Sequence, residues 1–101
     1  MLAEFSVVPL DKGESLSEYV SRILDLVDES GVEYKLTPMG TIVEGDWDEV
    51  MDLIKRCHHT MKEHSNRVET KIIIDDRKGA KNRITGKIES VESKLGKDLK
   101  K

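Results

Sequence analysis

Read by hydrophobic period, the chain runs strand, helix, strand, strand, helix, strand, one structural unit stated twice, and few folds accept that order. "LAEFSVVPL" sets Phe5 and Val7 against Glu4 and Ser6 and stops at Pro9, as a half-buried strand does. "SLSEYVSRILDLVDESG" offers Ser15 as N-cap with Glu18 three residues on, a capping box. Leu16, Tyr19, Val20, Ile23, Leu24 and Val27 then recur at helical spacing, and Gly31 is placed to close the last turn. "VEYKLT", the "PMG" turn and "TIVEG" read as a β-hairpin in which Gly40 supplies any positive φ. Asp46 and Glu49 repeat the capping-box spacing. Trp47, Val50, Ile54, Cys57 and Met61 form one apolar stripe on a second helix reaching about His64. "RVETKIIID" is the fourth strand, dense enough in apolar residues to predict burial on both faces near the start of "III".

This order predicts an α+β fold, a ferredoxin-like βαββαβ sandwich with a four-stranded antiparallel sheet and both helices on one face. A single domain covers 1–101, with the core at 1–77 and an extra C-terminal helix at 82–96. That helix carries Ile84, Ile88, Val91 and Leu95 at helical spacing after the charged loop "DDRKGAKN". Its interior Gly86 costs about 1 kcal/mol relative to alanine, so the helix is expected to depend on packing. Parity along the strands turns Phe5, Val7, Tyr34, Leu36, Ile42, Glu44, Val68, Ile72 and Ile74 toward the helices. Glu4, Ser6, Val8, Lys35, Thr37, Val43, Glu69, Lys71 and Ile73 then face away. That mixed polar and apolar surface suits a subunit interface.

Of the 101 residues 37% are apolar, 37% charged and 4% aromatic, so the interior is built from Val, Ile, Leu and Met. The longest apolar runs are a few residues and the first ten lack a basic flank. Neither a transmembrane helix nor a secretory signal is expected, and a cytoplasmic location is. Cys57 is the only cysteine, which removes an intrachain disulfide and multi-thiolate zinc sites. Residues 1–76 hold 8 basic and 17 acidic side chains, and residues 77–101 hold 9 and 3. A basic segment on an acidic body is read as packing on it, within the subunit or across an oligomer, in preference to nucleic-acid binding.

Little in the chain supports catalysis. "CHHTMKEH" resembles a metal cluster, but Cys57 falls on the apolar stripe and no histidine has a partner at i, i+4, so no metal site is expected. His58, at the edge of the stripe, remains a candidate ligand contact. No Gly-x-Ser-x-Gly elbow, Walker loop or Gly-x-Gly-x-x-Gly is present. Asp75 and Asp76 diverge along a strand end, where a solvated end or a salt bridge to Arg77 or Arg67 is expected. The outer sheet face lacks the aromatic residues with which such sheets bind RNA. Glu44 is the more telling acid. A carboxylate beside a helix N-terminus gains about 0.3 to 1 kcal/mol, yet Asp46, Asp48 and Glu49 already serve there, so Glu44 is read as awaiting a donor.

"SLSEYV", "YKLTPMGTIVEGDWDEV", "RVETKIIIDDR" and "GKIESVESKL" together resemble, over essentially the whole chain, the small thiamine-binding proteins related to YkoF. The resemblance implies a ferredoxin-like fold, no enzymatic activity, and binding of thiamine or its hydroxymethylpyrimidine part by a homo-dimer or homo-tetramer built through the sheets. It also implies roles for Ser17 and Thr41 as hydroxyl contacts, Met39 as an apolar wall, Glu44 as acceptor for the aminopyrimidine, Tyr19 or Tyr34 as a stacking surface, and Asp75 and Arg77 at the ligand or the interface. His59 and Met61 depart from the family's habit of a glutamate and a phenylalanine in the second helix. The leading expectation is a carrier, sensor or buffer for that ligand, with no resident cofactor. A structural or regulatory module binding a protein partner or another small ligand is the alternative, and a small-molecule hydrolase comes third.

Overall fold

In β1 (Leu2–Pro9), alternate residues Ala3, Phe5, Val7 and Pro9 are all buried, which marks it as a central strand. A computed structural model describes residues 1–13 and 16–100, and in it β1 pairs antiparallel with β3 (Gly40–Glu44) on one side and β4 (Val68–Asp75) on the other. β2 (Glu33–Thr37) pairs with the outer side of β3, giving the order β2-β3-β1-β4. This is the ferredoxin-like arrangement that the order of elements predicts. Helices α1 (Ser17–Glu29) and α2 (Trp47–Lys62) cover one face, and α3 (Arg83–Leu95) follows β4. Among the described residues no helix is long and apolar enough to cross a membrane.

The core lies between that face and α1 and α2. Ile23 and Val27 meet Val50, Leu53, Ile54, Cys57 and Met61 over Ala3, Phe5, Val7 and Val43. Full burial of each large apolar side chain contributes about 1.5–3 kcal/mol, so this cluster carries most of the favourable term. The α2 stripe is as expected except for Trp47, which is 54% exposed at the first position of the helix. β4 also differs. As an edge strand it has β1 on one side only, and Ile72, Ile73 and Ile74 are 38%, 65% and 37% exposed rather than buried on both faces.

Local chemistry fixes the ends of these elements. Asp46 accepts from the Glu49 amide at 2.8 Å, and Glu49 Oε1 accepts from the Asp46 amide at 3.0 Å, the expected capping box of α2. A Cβ on Gly45 would run into the Glu49 carboxylate and displace it from that box. At the other expected box, Ser15 lies outside the described residues. Gly31, at φ +79°, turns the chain after α1 as expected.

The hairpin turn works otherwise than expected. Gly40 is not in the left-handed region. Thr37 holds the turn instead, its hydroxyl donating to the Gly40 carbonyl at 2.8 Å and accepting from the amides of Met39 and Gly40 at 3.2 and 3.1 Å. Glycine suits the position because a Cβ there would stand 3.1 Å from the Phe5 carbonyl oxygen and 3.4 Å from Glu4 Cγ, so a larger residue would make β1 give by a few tenths of an ångström.

Where β1 leaves the sheet, Asp11 ties it to the α2–β4 loop, accepting from the Ser65 hydroxyl and from the Asn66 amide at 2.9 Å. Those two bonds, Ser65 first, hold the Asp11 carboxyl below the usual aspartate range. The unfolded chain therefore takes up this proton more readily than the folded one. The clasp stabilises the fold fully above the unfolded value, about pH 4, and is lost as pH falls through the lower folded value. Asp11→Asn is expected to lower Tm at neutral pH, with the gap from wild type closing as pH falls below about 4. Thermal melts across that range check it, and a constant gap would assign the effect to packing.

Candidate functional site

Between α1 and the β2–β3 hairpin the two layers do not close. Val20 and Leu24 on α1 stand apart from Leu36, Met39 and Thr41 on the hairpin, leaving a cavity of about 240 Å³ floored by Phe5. Its walls are mostly apolar, and none of the residues lining it is charged. Of its hydroxyl-bearing residues only Thr41 shares the helix-facing side with Phe5, since Ser6 and Thr37 alternate to the other face of the sheet and border the cavity at its edge. The Thr37 hydroxyl is committed to the turn, while Thr41 is buried on the strand beyond it. Met39 projects at the rim, 84% exposed, and Leu36 and Val20 are 48% and 38% exposed. Two apolar side chains left half open and a third at the rim, around a pocket that holds the Thr41 side chain, make a surface suited to a small, largely uncharged ring system.

Glu44 occupies a different place from the one expected. Buried Thr41 and Val43 face the helices, so Ile42 and Glu44, though on a common side as expected, look out from the opposite face. Val43, expected to face away, is in the core. The Glu44 carboxylate accepts from the Arg83 amide at 2.8 and 2.9 Å and from the Ile84 amide at 3.1 Å, and so satisfies the first free donors of α3. Asn82, in the left-handed conformation at φ 54°, makes no side-chain cap, so the cap of α3 comes from the sheet. Asp75 joins the same cluster. Its carboxylate meets Arg83 Nη2 at 2.5 Å and its carbonyl accepts from Nη1 at 3.1 Å, so the strand end is neither simply solvated nor bridged only to Arg77 or Arg67 as expected, but pairs with Arg83. Asp75 is the main reason that the guanidinium holds its proton above the usual arginine value.

The remaining candidates are dispersed. Ser17 is the exposed first residue of α1. His58, on the flank of α2, has Nδ1 2.6 Å from the Thr70 hydroxyl of β4. Arg77 lies in the exposed loop after β4. Tyr34 donates to Asp28 at 2.6 Å, and Tyr19 sets its ring 6.3 Å from that of His64. Cys57 is fully buried, and burial pushes its thiol up to about 11, so it is a packing residue. Among the described residues no three His, Cys, Asp or Glu side chains could hold a metal ion together. The structure thus joins Met39 with Thr41 and Glu44 with Asp75. Sequence reading missed Arg83 and the apolar wall of Val20, Leu24 and Leu36. The wall could have been found from the helical spacing of Val20 and Leu24, one turn apart opposite the hairpin.

Comparison with known proteins agrees with this frame. The family model described as "Thiamine-binding protein" matches residues 3–92. A UPF0045 protein of Methanothermobacter thermautotrophicus is 38% identical over 96 residues, covering 92% of this chain and 97% of its own. One of Methanocaldococcus jannaschii is 34% identical over 91 residues, covering 90% and 91%. The crystal structure of the Methanocaldococcus jannaschii protein superposes with a TM-score of 0.82, covering 89% of this chain and 93% of that one. A Thermotoga maritima protein proposed to act in thiamine biosynthesis or salvage superposes at 0.78 with 26% identity, covering 89% and 96%.

The cap sets an expectation for Glu44. Glu44→Gln keeps one acceptor but loses the charge facing the three amide contacts, and is expected to cost about 0.5–2 kcal/mol, as loss of an N-cap does. Hydrogen exchange should quicken across residues 83–95 while β1 stays protected. Unchanged exchange in α3 would mean that the carboxylate does not hold the helix.

Proposed function

The chain belongs to the thiamine-binding protein family, and from that premise we propose that it binds thiamine or its hydroxymethylpyrimidine part without transforming it, in the cavity between α1 and the β2–β3 hairpin. The observation that carries this reading is the meeting of Met39 and Thr41, two positions of the "PMGT" signature, on one apolar cavity with no charged residue in its lining. An aminopyrimidine offers a flat apolar ring with amine and ring-nitrogen groups that a hydroxyl can match. A cavity of about 240 Å³ favours that single ring over the whole two-ring vitamin, whose thiazolium cation would find no acid among the lining residues. Glu44 enters this proposal through the α3 cap rather than through the ligand.

A carrier, sensor or buffer in the cytoplasm is the role that such binding would serve. The open face of the sheet, with Ile73 65% exposed between Glu4 and Lys71, supports assembly of two or four chains through that face.

Calorimetry and thermal shift with hydroxymethylpyrimidine and thiamine test the binding. Hydroxymethylpyrimidine is expected to bind the more tightly, raising Tm by an amount equivalent to about 2.7 kcal/mol at a hundredfold excess over Kd. Thr41→Val, which keeps shape and removes a hydroxyl, should weaken it by about 0.5–1.5 kcal/mol. No heat and no shift with either compound at millimolar concentration would end this reading. Ile73→Lys is expected to lower the mass seen by light scattering, and an unchanged mass would remove the assembly.

A further inference from the structure

The loop joining β4 to α3 reads Arg77-Lys78-Gly79-Ala80-Lys81-Asn82, and it folds back on itself through a bond from the Ala80 amide to the Arg77 carbonyl at 3.1 Å. With α3 it encloses a polar recess of about 420 Å³, larger than the cavity beside α1 and sharing no lining residue with it. Arg77, Lys78 and Lys81 line the recess, and no described acid forms an ion pair with any of them. Arg83 is different, because its guanidinium is taken by Asp75. Three like charges gathered in one loop repel one another, so the arrangement is most stable with an anion among them.

The far wall gives a second reason. Gly86 stands inside a thirteen-residue helix, where glycine is unfavourable. No neighbour demands it, for a Cβ at that position would meet nothing within 4 Å. The one space that it keeps clear is the recess that it lines, one turn before Ser90, which supplies a hydroxyl to the same wall. The amides of Arg83 and Ile84 already bond Glu44, so the recess works through side-chain cations and not through the helix end.

We propose that the recess formed by Arg77, Lys78 and Lys81 against the bare Gly86–Ser90 face of α3 binds the phosphate group of a small phosphate monoester. A dianion of that size can meet an arginine, two lysines and a serine hydroxyl at once, and Gly86 lets the group approach the helix backbone. This site stands independently of the pyrimidine reading.

Calorimetry on the full chain at low ionic strength, with inorganic phosphate and phenyl phosphate as probes, tests it. Both are expected to bind, phenyl phosphate at least as tightly, with affinity falling as salt rises. Arg77→Ala with Lys81→Ala should weaken both by about ten-fold or more, as loss of charge-assisted contacts does. Gly86→Gln should raise the Tm of the free protein, since glutamine favours helix, and weaken phosphate by a similar factor by filling the recess. That opposite movement of stability and binding separates a site from a merely structural loop. The proposal fails if neither probe gives heat at millimolar concentration, if the variants bind as wild type does, or if only a short oligouridylate binds. It also fails if the double variant changes the mass seen by light scattering and leaves both affinities intact.

Discussion

Every side chain of this sheet is assigned its face by register against β1. Ala3, Phe5 and Val7 are buried under α1 and α2, so their cross-strand partners Val43 and Thr41 on β3, and Ile74, Ile72 and Thr70 on β4, share that side. The neighbours one residue along are sent to the other face, and Glu44 and Asp75 come to lie opposite Leu2 at the same end. The anchoring of α3 follows. Two acids on adjacent ladders point away from the core, and a helix beginning just beyond β4 meets one with its amides and the other with Arg83.

The same constraint explains what could be read in advance. Element order, the α2 capping box, the burial of Cys57 and the third helix were legible because each rests on local spacing. The face of β3 was not. In "TIVEG" Ile42 and Val43 are both apolar, so alternation gives no sign of which turns inward, and only pairing with β1 decides. An error of one residue there carried Glu44 to the wrong side. Its role then looked like a carboxylate in excess at α2, whereas it is the missing cap of α3, 39 residues further on. The cavity beside α1 was half legible: the "PMGT" motif marked Met39 and Thr41, but its apolar wall depends on how far the hairpin stands from the helix.

The sign change in charge near residue 77 also acquires a physical meaning. Of the basic side chains that follow, Arg83 is spent on the acidic body through Asp75, which supports the reading of the segment as packing on its own subunit. Arg77, Lys78 and Lys81 are not spent this way. Of the nine basic side chains in this segment, the structure thus gives one the task of fastening the helix and gathers three about a recess.

Gly40 links the cavity to the sheet. Its absent side chain lets β3 begin close to the Phe5 carbonyl, and both Gly40 and Phe5 line the cavity beside Met39 and Thr41. The turn is therefore unevenly free to vary. Met39, at the rim, can change to suit a new ligand at little structural cost. At Gly40 even a methyl group would press on the backbone of β1, so divergence within this fold should retune specificity from the rim while the floor stays as it is.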